Sequence, residues 1–330
     1  MSLFLICGGF VIIAAMRVIQ RISTKTSSLL VSDGYTFFKY GAAYQGFAAL
    51  FSLITAIIVG FNGINFPTFV CAAITAIMFG IDLFCSLEAI KGCSLVVANT
   101  FANGGLIISV IASYIWFGEG VSAFQIAGLV VFFLSVYLLS ITKKEEKSGK
   151  ISPKTFVLLI VDLLANGAIM IVQKYFALRV ENANTALFSL FTFAFCSLML
   201  AVCALVARIK AKASAPSLAN NTENTENTVE NSEKPAKKPF LSGKLVLCAV
   251  LLALALFAIN YIVTEMGHYV DSVVLFPVSA AISALATALV GLIVYKEKPN
   301  AFGVAGIVLG LVSIILLSVF TPSVVASIFG

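Results

Sequence analysis

Residues 115–128 read IWFGEGVSAFQIAG, and the same skeleton returns at 293–306 as IVYKEKPNAFGVAG. The alignment extends without a gap over 115–140 and 293–318. Apolar composition raises chance matches at Leu and Ala, but it does not explain identical Glu, Phe, Gly and Ser residues in one register. The identical pairs include Glu119/Glu297, Ala123/Ala301, Phe124/Phe302, Gly128/Gly306 and Ser135/Ser313. The chain therefore contains an internal repeat.

The composition places this repeat in lipid. Of the 330 residues, 60% are hydrophobic and 11% are charged, and the mean hydropathy is +1.06. A soluble domain of this composition would expose more apolar surface than it buries. The seven cysteines show no CxxC spacing and no histidine cluster, so they are interpreted as small core residues.

The apolar runs predict an all-α, polytopic membrane protein. A spanning helix needs about 20 mostly apolar residues, and ten runs meet this length. They are 2–20, 36–60, 67–90, 93–116, 121–141, 154–176, 184–208, 243–265, 271–295 and 301–320. The polar, low-complexity segment 209–242 is predicted to be a disordered loop.

The repeat divides the ten spans into two units of five helices. Residues 1–141 form the first unit, 142–153 connect the units, and 154–320 form the second. Gln20-Arg21 near the start of the first unit has its counterpart in Gln173-Lys174. Because five is odd, the second unit enters the membrane from the opposite side. Inverted repeats of this kind commonly enclose a site near the bilayer midplane and expose it to each side in turn.

The basic residues predict an orientation. Apart from Lys174 and Arg179, the lysines and arginines lie in or beside the odd-numbered connections between spans. Cytoplasmic loops carry an excess of these residues. The odd-numbered connections are therefore expected in the cytoplasm, with both termini outside. A bacterial plasma membrane is the expected location.

The duplicated pattern also resembles a known family. A Glu-centred turn, then Ala-Phe-x-x-Ala-Gly and an apolar helix, occurs in both halves, and this is similar to the drug/metabolite transporter superfamily, most closely its EamA-like branch. The resemblance covers nearly the whole chain outside 209–242. It implies a ten-helix bundle whose central cavity is lined by the first four helices of each half. It also implies cytoplasmic termini, in disagreement with the distribution of basic residues.

Polar residues inside the spans are the candidate substrate-binding or coupling residues, since such groups are costly in lipid and usually face a wet cavity. On the sixth span, positions four and seven apart share one face. The candidates are Asp162, Asn166 and Gln173 on that span, with Tyr44, Gln45, Asp82, Asn99, Asn103, Asn260 and Tyr261 on others. Helix–helix hydrogen bonding is the alternative for each. A proton taken up by Asp162 would couple transport to a gradient.

Three further residues receive structural interpretations. Arg17 and Arg21 are expected to anchor the first helix at the cytosolic surface. Glu119 is expected to cap the helix that follows it, where a carboxylate suits the positive end of the helix dipole. Without a basic pair at membrane depth, the spans disfavour a multiply charged anion as substrate.

The sequence thus predicts a secondary transporter that moves a small organic metabolite, such as an amino acid, an amine or a drug-like compound, by alternating access. A nucleotide-sugar exchanger is one alternative, and a non-transporting membrane scaffold or an ion channel is another. With one histidine, no HExxH motif and no glycine-rich nucleotide loop, no enzyme is expected. No cofactor, metal or nucleic-acid partner is expected either. The expected partners are the solute and the bilayer, and the expected state is a monomer or homodimer.

Overall fold

A computed structural model of the chain describes residues 3–31, 34–92, 95–141, 152–219, 243–294 and 301–319. These residues form ten α-helices and no strand, so the predicted all-α class is confirmed for the described part. A π-helical turn, Ser113–Phe117, extends α4. The helices are α1 Leu3–Leu30, α2 Gly34–Val59, α3 Phe66–Gly92, α4 Leu95–Ala112, α5 Ala123–Ile141, α6 Pro153–Arg179, α7 Thr185–Ala219, α8 Gly243–Met266, α9 Ser272–Ile293 and α10 Ala301–Val319.

Each predicted span overlaps one of these helices. Seven contain segments long and apolar enough to cross a membrane, namely α1, α2, α3, α6, α7, α8 and α9. Three further apolar segments in the described residues are shorter: Phe101–Phe117, Ala123–Ser135 and Val304–Leu317. The structure therefore has the architecture of a multi-pass membrane protein.

Two helices run past their predicted ends. The first was expected to end at residue 20 but continues to Leu30, and its hydroxyl side chains there bond to the helix's own carbonyl groups. Thr26 Oγ1 donates to the Ile22 carbonyl at 2.9 Å and Ser27 Oγ to the Thr24 carbonyl at 3.0 Å. Similarly, α7 continues to Ala219, past the point where the disordered loop was predicted to begin. The rest of that loop lies outside the described residues.

The most extensive helix contacts join the first half of the chain to the second. They pair α2 with α7, α5 with α10, α3 with α6 and α1 with α8. The next pairs are α4 with α6, α3 with α7, α2 with α8 and α1 with α9. If each helix of the first half is exchanged with the corresponding helix of the second half, α1 with α6, α2 with α7 and so on, the same set of pairs results. The halves therefore interlock around one core instead of forming two separate bundles.

The contact between α5 and α10 uses the duplicated small residues. A methyl group on Gly128 would lie 3.0 Å from Cβ of Leu316. Ser135 Oγ donates to the Gly306 carbonyl at 2.7 Å. Gly128 and the Gly306 carbonyl thus lie directly at the contact between the two helices. This contact places α5 and α10 against each other.

The contact between α4 and α6 is closer still, and it gives a stability prediction. A methyl group on Gly105 would lie 2.7 Å from the Leu163 carbonyl oxygen and 2.7 Å from the Gly167 nitrogen. Since backbone atoms cannot move aside as a side chain can, Gly105→Ala should lower the free energy of unfolding by about 1–3 kcal/mol. Thermal unfolding in detergent measures this. Gly8→Ala is the control, because nothing lies within 4 Å of that position; equal effects of the two changes would contradict the prediction.

Candidate functional site

A cavity of about 240 Å³ lies between helices of both halves. Its described lining comes from α1, α2, α3, α4, α6, α8 and α9, while α5, α7 and α10 contribute none of it. It extends from mid-bundle toward the end where α1 meets α2, as Ser27 and Tyr40 in its lining show. The resemblance implied lining by the first four helices of each half, and this holds for all of these except α7.

Six of the ten predicted site residues line this cavity: Tyr44, Asp82, Asn103, Asn166, Gln173 and Asn260. Two of them connect the halves of the lining directly. Gln173 Nε2 on α6 donates to Asn260 Oδ1 on α8 at 2.9 Å. Asn260 Nδ2 in turn donates to the Leu256 carbonyl one turn earlier at 2.8 Å. These bonds fix two amide groups at the cavity wall.

The other four predicted residues are not in the lining. Gln45 is fully buried, and its Nε2 donates to the Tyr44 hydroxyl at 3.3 Å. Tyr261 packs against Phe257 with ring centroids 5.6 Å apart. Asp162 lies behind the wall, and the side chain of Asn99 is outside the described part of the chain. Gln45 and Tyr261 are therefore packing residues of the cavity's surroundings.

Asp82, Asp162 and Asn166 form a buried acidic cluster between α3 and α6. Asn166 Nδ2 donates to Asp82 Oδ1 and to the Asp162 backbone carbonyl at 3.1 Å. The Asp82 and Asp162 carboxyl groups interact electrostatically with each other. No described donor group reaches either carboxyl oxygen of Asp162, which is 0% exposed.

Buried polar groups of the lining without a hydrogen-bond partner in the described residues include Asn103 Nδ2, Ser279 Oγ and Arg17 Nε. A buried donor left without a partner costs about 1–3 kcal/mol. These three donors lie on different helices and line one cavity, so its wall can donate hydrogen bonds to a polar molecule.

The expected position of Arg17 and Arg21 is wrong. Both line the cavity together with Gln20, and neither is a surface anchor. Arg17 Nη1 donates to Gln20 Oε1 at 2.9 Å, and Arg21 Nη2 donates to Ser283 Oγ on α9 at 2.8 Å. The argument against anionic substrates therefore fails, since it assumed no basic pair at this depth. The spacing of four, midway along a long helix, was the sequence signal for a shared inward face.

A buried ion pair joins helices at the opposite end of the bundle. Lys174 Nζ on α6 lies 2.9 Å from Glu119 Oε1, with the two side chains 3% and 8% exposed. The same ammonium donates to the Gly267 and Val270 carbonyls at 3.0 Å and 2.8 Å. All three of its donors thus have acceptors. The Lys174 ammonium thus holds α6, the α4–α5 connection and the α8–α9 turn together. Lys174, Glu119, Gly267 and Val270 are called the Lys174 seal below.

Glu119 caps a different helix from the expected one. Its Oε2 accepts from the Ser272 backbone nitrogen at 2.8 Å, and Ser272 is the first residue of α9. The following helix, α5, has its own cap: Ser122 and Gln125 bond reciprocally at 3.0 Å and 3.1 Å. Sequence neighbours cannot show that the start of α9 lies beside Glu119. Its counterpart Glu297 lies outside the described residues.

Asp271, the residue before α9, adds to the negative charge beside this seal. Partial burial raises the pKa of its carboxyl group. The nearby Glu119 carboxylate raises that pKa further, while Lys174 lowers it. One ammonium thus compensates two carboxylates at this end of the bundle.

Comparison with known proteins gives information on the fold alone. No family model and no curated protein matches the chain. A solved structure, described only as the crystal structure of a protein, superposes with a TM-score of 0.68. The match covers 96% of this chain and 98% of the other at 12% sequence identity. The fold of this chain therefore occurs in a protein of nearly the same extent.

Proposed function

We propose that this chain is a secondary transporter that moves a small organic metabolite across a membrane by alternating access. We further propose ten spans in two inverted five-helix repeats, as in the drug/metabolite transporter superfamily that the sequence resembles. One observation carries the proposal: a polar cavity with unpartnered polar groups lies between the two halves and extends toward one end of the bundle, while a buried ion pair joins helices at the other end.

The inverted repeat has two independent supports. The sequence repeats in register. The set of contacting helix pairs also stays the same when each helix is exchanged with its counterpart in the other half. Such exchange is expected of two similar units related by a two-fold axis. With an odd number of helices in each unit, that axis lies in the membrane plane.

Alternating access follows from the unequal ends of the bundle. The cavity extends toward the α1–α2 end, and the Lys174 seal joins helices at the other. If the odd-numbered connections are cytoplasmic, the cavity of this conformation faces the cytoplasm. Breaking the seal while the α1–α2 end closes would expose the same site to the opposite side. Rocking of one half against the other supplies such a movement in inverted-repeat carriers.

The acidic cluster suits proton coupling. Two carboxylates that interact away from water repel each other, and a proton on one of them relieves the repulsion. Asp82 lines the cavity and Asp162 lies behind it. A proton bound by this pair would therefore respond to the presence of solute or water beside Asp82. This links solute movement to a proton gradient.

The size of the cavity favours a small solute over a nucleotide sugar. Its volume of about 240 Å³ is at or below the range of sites for drug-sized ligands. The unpartnered amide and hydroxyl groups provide hydrogen bonds for polar substituents. An amino acid fits this setting, whereas nothing in the lining favours a non-transporting scaffold.

Uptake into liposomes tests the proposal. Purified protein is reconstituted, and uptake of a panel of small metabolites is measured with and without an imposed proton gradient. A carrier gives uptake that saturates with solute concentration. Conductance without saturation would assign an ion channel instead. No uptake, with joint changes at Asp162, Asn166 and Asn103 tolerated in cells, would assign a scaffold.

A further inference from the structure

Arg17 and Arg21 place two guanidinium groups one helical turn apart on the cavity wall. Residues four apart lie on one face of a helix, so both side chains project to the same region. Like charges at this spacing repel, and the repulsion is stronger where water is scarce. This arrangement is costly for the protein unless anionic groups lie nearby.

The described lining supplies one carboxylate to face these two guanidinium groups. Asp82 is the single carboxylate among the described residues that line the cavity, and it interacts electrostatically with Arg17. It also accepts from Asn166 and is paired with Asp162. In the described lining, two guanidinium groups thus share one carboxylate, which Asn166 already engages.

The hydrogen bonds of Arg17 leave donors available. Each guanidinium has five N–H groups. Gln20 occupies one from Arg17, and Arg17 Nε has no partner in the described residues. Ser283 accepts from Arg21 and braces it against α9. A planar guanidinium fork matches an oxyanion with two parallel hydrogen bonds.

We propose that Arg17 and Arg21 bind the oxyanion group of the transported solute, so that the substrate class is small organic anions. This rests on the proposed transport function. The shared chemistry is a carboxylate or a phosphate monoester. The rest of the solute lies against Phe79, Met170 and Phe276 of the lining and the amides of Gln173 and Asn260.

A series of probes that differ in charge but little in shape tests this assignment. Succinate, succinamate and succinamide carry two, one and no carboxylates, and glycerol phosphate represents the phosphate monoesters. Their affinities for the detergent-purified full chain are measured by ligand-induced thermal stabilisation. We expect one or more of the anions to bind and the diamide to bind at least about tenfold more weakly. The relative affinities of succinate and glycerol phosphate distinguish the two oxyanions.

Variants of the two arginines test whether these residues bind the anion. Arg17→Gln and Arg21→Gln should each weaken anion binding by about tenfold or more, and Arg17→Lys should weaken it less. Arg179→Gln, which removes an exposed charge at the end of α6, should leave binding unchanged. If the arginine variants fail to fold, the affinities of succinate, succinamate and succinamide for the unaltered protein still test the inference. Equal binding of the diamide, unchanged binding in the variants, or no stabilisation by any anion at millimolar concentration would overturn the inference.

Failure of the carrier and failure of this inference give different results. Anion binding that depends on both arginines, without uptake in liposomes, leaves the inference standing and contradicts the transport function. Saturable uptake of a neutral or cationic solute that is unaffected by Arg17→Gln leaves the carrier standing and overturns the inference.

Discussion

Glu119→Gln is expected to lower the free energy of unfolding by about 3–5 kcal/mol, because it removes one partner of a buried ion pair and leaves the Lys174 ammonium uncompensated. Lys174 is 3% exposed, so water cannot replace the lost carboxylate. The glutamine keeps the shape of the side chain and an oxygen that can accept from Ser272. The expected loss thus reports charge, with packing and helix capping nearly unchanged. Chemical or thermal unfolding in detergent measures it.

The chain provides a matched control for this experiment. Lys154 and Glu88 form an ion pair at 3.7 Å whose side chains are 77% and 30% exposed. Lys154→Gln should change the stability by no more than about 1 kcal/mol. The double variant Glu119→Gln with Lys174→Met should recover part of the stability, since it leaves no buried charge. Equal effects of Glu119→Gln and Lys154→Gln would show that the Lys174 seal contributes no more than a surface pair.

Asp162→Asn is expected to abolish uptake driven by a proton gradient, with a drop of at least about tenfold in initial rate, while solute binding persists. The asparagine holds no titratable proton, so the pair with Asp82 can no longer load and release one. Asp82 and Cys85 on α3 are the ionisable groups that interact with Asp162. Binding survives because Asp162 does not line the cavity. Uptake and binding are measured on the same preparation.

The control for this change is Glu181→Gln, which removes an exposed carboxylate outside the acidic cluster and should leave coupled uptake near its original rate. Solute exchange without a gradient should also survive Asp162→Asn. Unchanged uptake with an unchanged pH optimum in Asp162→Asn would remove the acidic pair from the coupling mechanism.

Much of the fold was predictable because lipid imposes a simple constraint. Backbone groups in a bilayer must bond within their own helix, so long apolar runs predict helices with few alternatives. The repeat then predicted how the halves correspond. Helix ends were less predictable: α1 continues through Thr24, Thr26 and Ser27, whose polar side chains suggested a loop but face the helix itself or the cavity.

The site was predictable only where polar residues interrupt an apolar run. Asn166 and Gln173 are conspicuous in such a run, and they line the cavity. Arg17 and Arg21 were misplaced because positive charge near the end of a short apolar run is typical of a membrane anchor. The Lys174 seal was missed because its residues come from α6 and from two connections far apart in the sequence. Contacts between distant segments leave no local pattern.

The most direct test of alternating access is the labelling of a cavity residue from each side of the membrane. Ser279 on α9 lines the cavity, so Ser279→Cys is introduced into a variant lacking the seven native cysteines. A membrane-impermeant thiol reagent is then applied to either face, with and without Glu119→Gln. The expected result is labelling from the face at the α1–α2 end, with increased labelling from the opposite face when the Lys174 seal is weakened. Labelling from one face under every condition, or none from either face, would contradict a cavity exposed to the two sides in turn.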